Sequence, residues 1–196
     1  MERTNTMRLV GTLRDHRPLI VVALEEEAAA FPPDLPHLLT GPGKVAAAVA
    51  TSWALSRCEP SVVVNAGTAG GLRDDVVGLH EIASVAQHDL DVSALEHITG
   101  RRFENVIDLG RTGLRLVTGD EFVNDSAVRA ALAREADLVD MEGFAVATAA
   151  RRFGVRVRLV KFVSDGANES AGMAWPEQAR LASEHLARWI ADYLDV

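Results

Sequence analysis

Four short stretches of this 196-residue chain carry acidic side chains, a fifth is a run of small residues, and four of the five directly follow an apolar run. Glu25-Glu26-Glu27 follows residues 18–24 (PLIVVAL), and Ala66-Gly67-Thr68-Ala69-Gly70-Gly71 follows residues 61–65 (SVVVN). Gly119-Asp120-Glu121-Phe122 follows residues 115–118 (RLVT), and Ser164-Asp165-Gly166 follows residues 155–163 (VRVRLVKFV). Asp140-Met141-Glu142 opens an Ala-rich stretch. Carboxyl groups gathered around one bond can divide the acid and base roles of a reaction. Taken singly, each stretch has a plainer reading. Acids complement helix N-termini, the small residues suit a tight strand-to-helix turn, and Ser164-Asp165 suits a turn and cap. Phe122 and Trp175 suit a core. The glycine segment lacks the Gly-Lys-Ser/Thr ending of a phosphate-binding P-loop.

The elements that must position these residues are strands alternating with helices. The four apolar runs, with residues 81–86 (EIASVA), read as buried strands. Residues 44–55, 125–134 and 141–153 read as helices, the last stopped by Gly154. Residues 176–194 form the clearest helical pattern, with Pro176 suited to its first turn. This alternation predicts an α/β fold with a mostly parallel sheet covered on both faces. Ligands of such sheets bind beyond the carboxyl ends of the strands, so the five stretches converge on one edge.

Composition narrows the function. The chain is 48% hydrophobic and 24% charged, as in ordinary soluble globular proteins. Its net charge of −8 and its short basic clusters, Arg101-Arg102 and Arg151-Arg152, argue against a nucleic-acid polymer as partner. The lone cysteine, Cys58, excludes an intrachain disulfide framework. The six histidines show no metal-ligand spacing, so no metal is implied. No apolar run approaches the roughly 20 residues that span a bilayer, and the polar N-terminus lacks a signal-peptide core. A cytoplasmic protein is expected. Residues 1–16 read as an N-terminal extension and residues 17–196 as a single domain.

Six segments, in order, resemble the bacterial 5′-methylthioadenosine/S-adenosylhomocysteine nucleosidases of the nucleoside phosphorylase/nucleosidase family. Leu24-Glu25-Glu26-Glu27 is similar to that family's opening Met-Glu-Glu-Glu, and residues 41–48 (GPGKVAAA) to its Gly-Ile-Gly-Lys-Val segment. Residues 65–71 (NAGTAGG) are similar to Asn-Thr-Gly-Ser-Ala-Gly-Gly, and residues 118–123 (TGDEFV) to Ser-Gly-Asp-Ala-Phe-Ile. Residues 139–143 (VDMEG) are similar to Val-Glu-Met-Glu-Ala, and Val163-Ser164-Asp165 to Ile-Ser-Asp. The resemblance implies a three-layer α/β/α sandwich with a mixed, mostly parallel sheet, shortened near residues 28–40. It also implies a homodimer acting on a small purine nucleoside without a cofactor.

The resemblance further implies roles. Asp165 matches the acid that protonates the leaving adenine at N7, Glu27 the base that positions water, and Glu142 the residue that holds the ribose hydroxyls. Met141 would lie against the sugar, Phe122 would stack on the purine, and Val123 would read its edge. Ser164 would support Asp165, while Thr68, Ala69 and Gly70 would line the floor. Trp175 falls where the family carries an aromatic near the 5′ substituent; its plainer reading is a cap on the final helix. Phosphorylases of this family clamp phosphate with arginines, one of them just before the glycine segment, where this chain has Asn65-Ala66. Hydrolysis is therefore expected over phosphorolysis. The short proline-containing segment after Glu27, residues 91–97 and Asn168 depart from the family pattern. They leave futalosine hydrolase as an alternative, and purine nucleoside phosphorylase is the rival reaction. A nucleoside-binding protein on a degenerate scaffold is the non-enzyme alternative.

Overall fold

The computed structural model describes residues 7–194. Nine strands form one mixed sheet: β1 (Arg8–Val10), β2 (Leu19–Val22), β3 (His37–Leu39), β4 (Val63–Gly71), β5 (Gly78–Gln87), β6 (Val106–Asp108), β7 (Leu114–Thr118), β8 (Leu138–Asp140) and β9 (Val157–Asp165). Five helices accompany them: α1 (Lys44–Leu55), α2 (Val92–Thr99), α3 (Ser126–Leu132), α4 (Gly143–Arg152) and α5 (Ala171–Tyr193). The order β1-β3-β2-β4-β8-β7-β5-β6 is closed by β9, which pairs with both β4 and β5. Strands β4, β8, β7, β5 and β9 thus form a ring, with β1, β3 and β2 extending from it. Parallel pairing joins β2 to β3 and β4, β4 to β9, and β7 to β5 and β8. The remaining pairings are antiparallel.

Alternation along the strands builds the layers. Leu19 and Val21 of β2 pack with Leu38 against Ala47, Ala50 and Ala54 of α1 and Val146 and Ala150 of α4. Their neighbours Ile20 and Val22 face the other way, against Leu186, Trp189 and Ile190 of α5. The small alanines let α1 and α4 approach each other closely. The result is the expected three-layer α/β/α arrangement.

Several elements differ from the sequence expectation. Within the stretch read as an N-terminal extension, residues 8–10 form edge strand β1 on β3, while residues 1–6 lie outside the described residues. The small-residue segment after residue 65 is not a turn. Strand β4 runs on to Gly71, paired with β9 along most of its length. Helix α5 starts at Ala171, so Pro176 lies inside it instead of in its first turn. The shortened segment near residues 28–40 follows a single 3-10 turn (Glu25–Ala28) and holds β3.

Candidate active site

The carboxyl ends of β2, β8 and β9, the second half of β4 and the segment after β7 surround a cavity of about 330 Å³. That volume lies in the range, roughly 300–1,000 Å³, of small-molecule sites. All eleven residues singled out by the sequence line it: Glu27, Thr68, Ala69, Gly70, Phe122, Val123, Met141, Glu142, Ser164, Asp165 and Trp175.

Glu27, at 4% exposure, sits in the 3-10 turn after β2. Its Oε2 accepts from the backbone N–H of Ala23 (3.2 Å) and Leu24 (3.1 Å). Its Oε1 accepts from the N–H of Thr68 (2.7 Å) and from the Thr68 hydroxyl (2.8 Å). The bond to Leu24 is a capping contact and the bonds to Thr68 are not, so one carboxylate serves the turn and the cavity together. Gly67 permits this approach, because a Cβ there would lie 3.0 Å from Oε1.

Asp165 ends β9. Pairing between β4 and β9 shifts register after Ala69–Val163, so that Gly70 faces Asp165 and Ser164 is the extra residue. A bulge of this kind re-aims a side chain. The Ser164 hydroxyl donates to Asp165 Oδ2 at 2.8 Å, and the Ala167 N–H donates to Oδ1 at 2.8 Å. Ala167 adopts φ 48°, a left-handed conformation unusual for alanine. A Cβ on Gly70 would come within 2.9 Å of the Ala167 Cβ and 3.3 Å of Asp165 Oδ1. Only glycine leaves room for this turn to close over β4.

Glu142 precedes α4, yet its side chain does not cap that helix. Asp140 does: its Oδ2 accepts from the Gly143 N–H at 2.8 Å, and its Oδ1 from the Thr118 hydroxyl at 2.6 Å. Glu142 Oε1 instead accepts from the Gly43 N–H at 2.8 Å. Burial pushes the Glu142 carboxyl up to about 8, and the nearby charge of Asp140 adds to this. The Lys161 ammonium and the Gly43 amide pull the other way. Lys161, at 1% exposure, donates to Asp140 Oδ2 at 2.8 Å. Burial alone would lower its pKa, but Asp140 and Glu142 outweigh it and hold the ammonium above its ordinary value.

Sequence reasoning gave no site role to Lys161, Gly43, Pro42 or Glu121. Lys161 left a signal: an ammonium inside a buried strand requires a buried carboxylate partner. Pro42 and Glu121 line the cavity, while Gly43, at φ 92°, aims its N–H at Glu142. Trp175, read as a wall for the 5′ group or a helix cap, lines the cavity from within α5 and donates from its indole to Thr68 Oγ1 at 3.2 Å. Among the residues described, no group of three or more His, Cys, Asp or Glu side chains could hold a metal ion, and no helix is long and apolar enough to cross a membrane.

The family model of the phosphorylase superfamily matches residues 37–105 and 108–195. A 5′-methylthioadenosine/S-adenosylhomocysteine nucleosidase of Marinomonas sp. is 33% identical over 187 residues, covering 82% of this chain and 80% of that protein. The nucleosidase of that name from Exiguobacterium sp. is 31% identical over 181 residues, covering 78% and 76%. Among solved structures, a Helicobacter pylori MTAN mutant with 5′-methylthioadenosine in its active site has a TM-score of 0.78 at 23% identity, covering 91% of this chain and 98% of that one. A futalosine hydrolase mutant from the same species has a TM-score of 0.77 at 22% identity, covering 90% and 97%. The structural likenesses establish the fold, and the sequence matches establish descent: this chain belongs to the phosphorylase superfamily.

Proposed function

We propose that this protein is a purine nucleosidase of the 5′-methylthioadenosine/S-adenosylhomocysteine type. It hydrolyses the N-glycosidic bond of a 5′-modified adenine nucleoside and releases free base and sugar. The observation that carries this reading is the gathering of Glu27, Glu142 and Asp165 around one nucleoside-sized cavity. The curated relatives bear the name of this activity.

The roles follow from chemistry. Adenine is a poor leaving group as an anion and a good one as a neutral base, so Asp165 gives a proton to N7 as the C1′–N9 bond breaks. The Ser164 hydroxyl also lies 3.5 Å from the Ala69 carbonyl. Its bond to Asp165 Oδ2, at 2.8 Å, holds that carboxyl in place. Glu27 takes a proton from the water that attacks C1′, and its four donors fix the direction of attack. Glu142 accepts from the ribose hydroxyls and helps hold the oxocarbenium-like sugar in place. Phe122 stacks on the purine, beside Val123, and Met141 covers the sugar.

Water is favoured over phosphate by charge. The cavity lining holds Glu27, Glu121, Asp140, Glu142 and Asp165 but no Lys, Arg or His among the residues described. The N–H groups that open α1, a natural anion cradle, are taken by the chain's own carboxylates: Gly43 donates to Glu142 and Lys44 to Asp120. A dianion there would meet repulsion in place of a clamp.

The proposal includes a cytoplasmic homodimer. Val45 and Val49 on α1, and Ile98, Phe103 and Val106 beyond β5, stand exposed as apolar side chains that a second subunit would cover. Incubating a panel of 5′-modified purine nucleosides with and without phosphate tests the reaction. Free adenine and free sugar from 5′-methylthioadenosine, at equal rates in both buffers, are expected. A phosphate requirement with sugar 1-phosphate as product would overturn hydrolysis, and cleavage of futalosine alone would redirect the substrate.

A further inference from the structure

Thr68 Oγ1 stands between two groups of fixed polarity. The Trp175 indole nitrogen lies 3.2 Å away, and Glu27 Oε1 lies 2.8 Å away. An indole N–H only donates, and a threonine hydroxyl has a single hydrogen. Accepting from Trp175 therefore leaves the hydroxyl hydrogen to point at Glu27. The three groups form a one-way chain, from Trp175 N–H through Thr68 O–H to the Glu27 carboxylate. Two elements distant in sequence hold its ends: α5 carries Trp175, and the turn after β2 carries Glu27. They are also tied together directly, since the Ala30 N–H donates to Ser183 Oγ of α5 at 2.8 Å.

We propose that Trp175 is a positioning residue for the general base, acting through Thr68, in addition to being an apolar wall of the cavity. Its N–H fixes the Thr68 hydroxyl rotor. The hydroxyl and amide of Thr68 then hold Oε1, while the amides of Ala23 and Leu24 hold Oε2, so Glu27 meets the attacking water from one direction. A ring that served only as a wall would need no N–H. The inference rests on the hydrolytic reading of the site.

The test compares wild type, Trp175→Phe, Thr68→Val and the double variant on 5′-methylthioadenosine. Phenylalanine keeps an apolar ring and removes the donor. Losing one such hydrogen bond should lower kcat ~10-fold and leave KM within about twofold. The double variant should be no slower than Thr68→Val alone, because both changes break the same chain. An unchanged kcat in Trp175→Phe, a change confined to KM, or losses that multiply in the double variant would overturn the proposal. A second readout needs no turnover. The chain has three tryptophans, and the indole N–H resonance missing in Trp175→Phe identifies that of Trp175. It should move in Thr68→Val, and an unmoved resonance overturns the hydrogen bond. If wild type cleaves no nucleoside, the hydrolase reading falls, and this resonance decides the relay on its own.

Discussion

The raised Glu142 carboxyl predicts a specific dependence of stability on pH. Its ordinary value is 4.5, and in the folded chain it is raised to about 8. Between these values the unfolded chain has lost this proton while the folded chain keeps it. The folded state then binds more protons, so stability falls as pH rises through the window and levels off above it. The full gap corresponds to at most ~5 kcal/mol. Interaction with the charged groups around it reduces the expected net effect to ~2–3 kcal/mol. For a chain of this length that is a shift in Tm of roughly 5–10 °C. Glu142→Gln removes the ionisation and keeps an acceptor for the Gly43 N–H. Unfolding of both proteins is followed by heat or urea at pH 5.5 and pH 8.5. Wild type should lose more stability than the variant over this interval, and the variant should be the more stable at the upper pH. Other groups, such as His37, whose pKa burial lowers, cancel in the difference. Parallel pH profiles for the two proteins would refute the reasoning.

Other consequences are as direct. Asp165→Asn should lose ~10²–10⁴-fold in turnover with its fold intact, measured as adenine release and circular dichroism. Lys161→Met leaves Asp140 buried without its cation and should cost ~3–5 kcal/mol in urea unfolding. Gly70→Ala drives a Cβ against Ala167 and Asp165 and should lower kcat by up to ~10²-fold, with a smaller effect on KM. Ala167→Gly relieves a left-handed alanine and should raise stability by ~1 kcal/mol, while kcat falls as the Asp165 turn loosens.

The sequence showed the site better than it showed the scaffold, and the reasons are physical. Glu27, Phe122, Val123, Met141, Glu142, Ser164 and Asp165 follow or end a strand, and strand ends are marked by local changes in polarity. Strands β1, β3, β6 and β8 are three residues long, too short to show a period of two. They exist because neighbours in the sheet complete them. Strand β4 looked as if it stopped at Asn65, because glycine and alanine have low strand propensity. It continues because those small residues let Glu27 and Asp165 approach its backbone. Helix α5 looked as if it began at Pro176, yet its start at Ala171 has no side-chain cap to announce it. Lys161 was hidden because its partner, Asp140, comes from another strand and meets it only on folding.

The central claim is that carboxyl groups 27, 142 and 165 together direct water at a glycosidic carbon. Its most direct test is wild-type protein acting on 5′-methylthioadenosine in phosphate-free buffer made with oxygen-18 water. The account predicts stoichiometric adenine and a sugar carrying the heavy oxygen at C1, with Glu27→Gln and Asp165→Asn both slowed by orders of magnitude. Unlabelled sugar, or release that survives both substitutions, would contradict it.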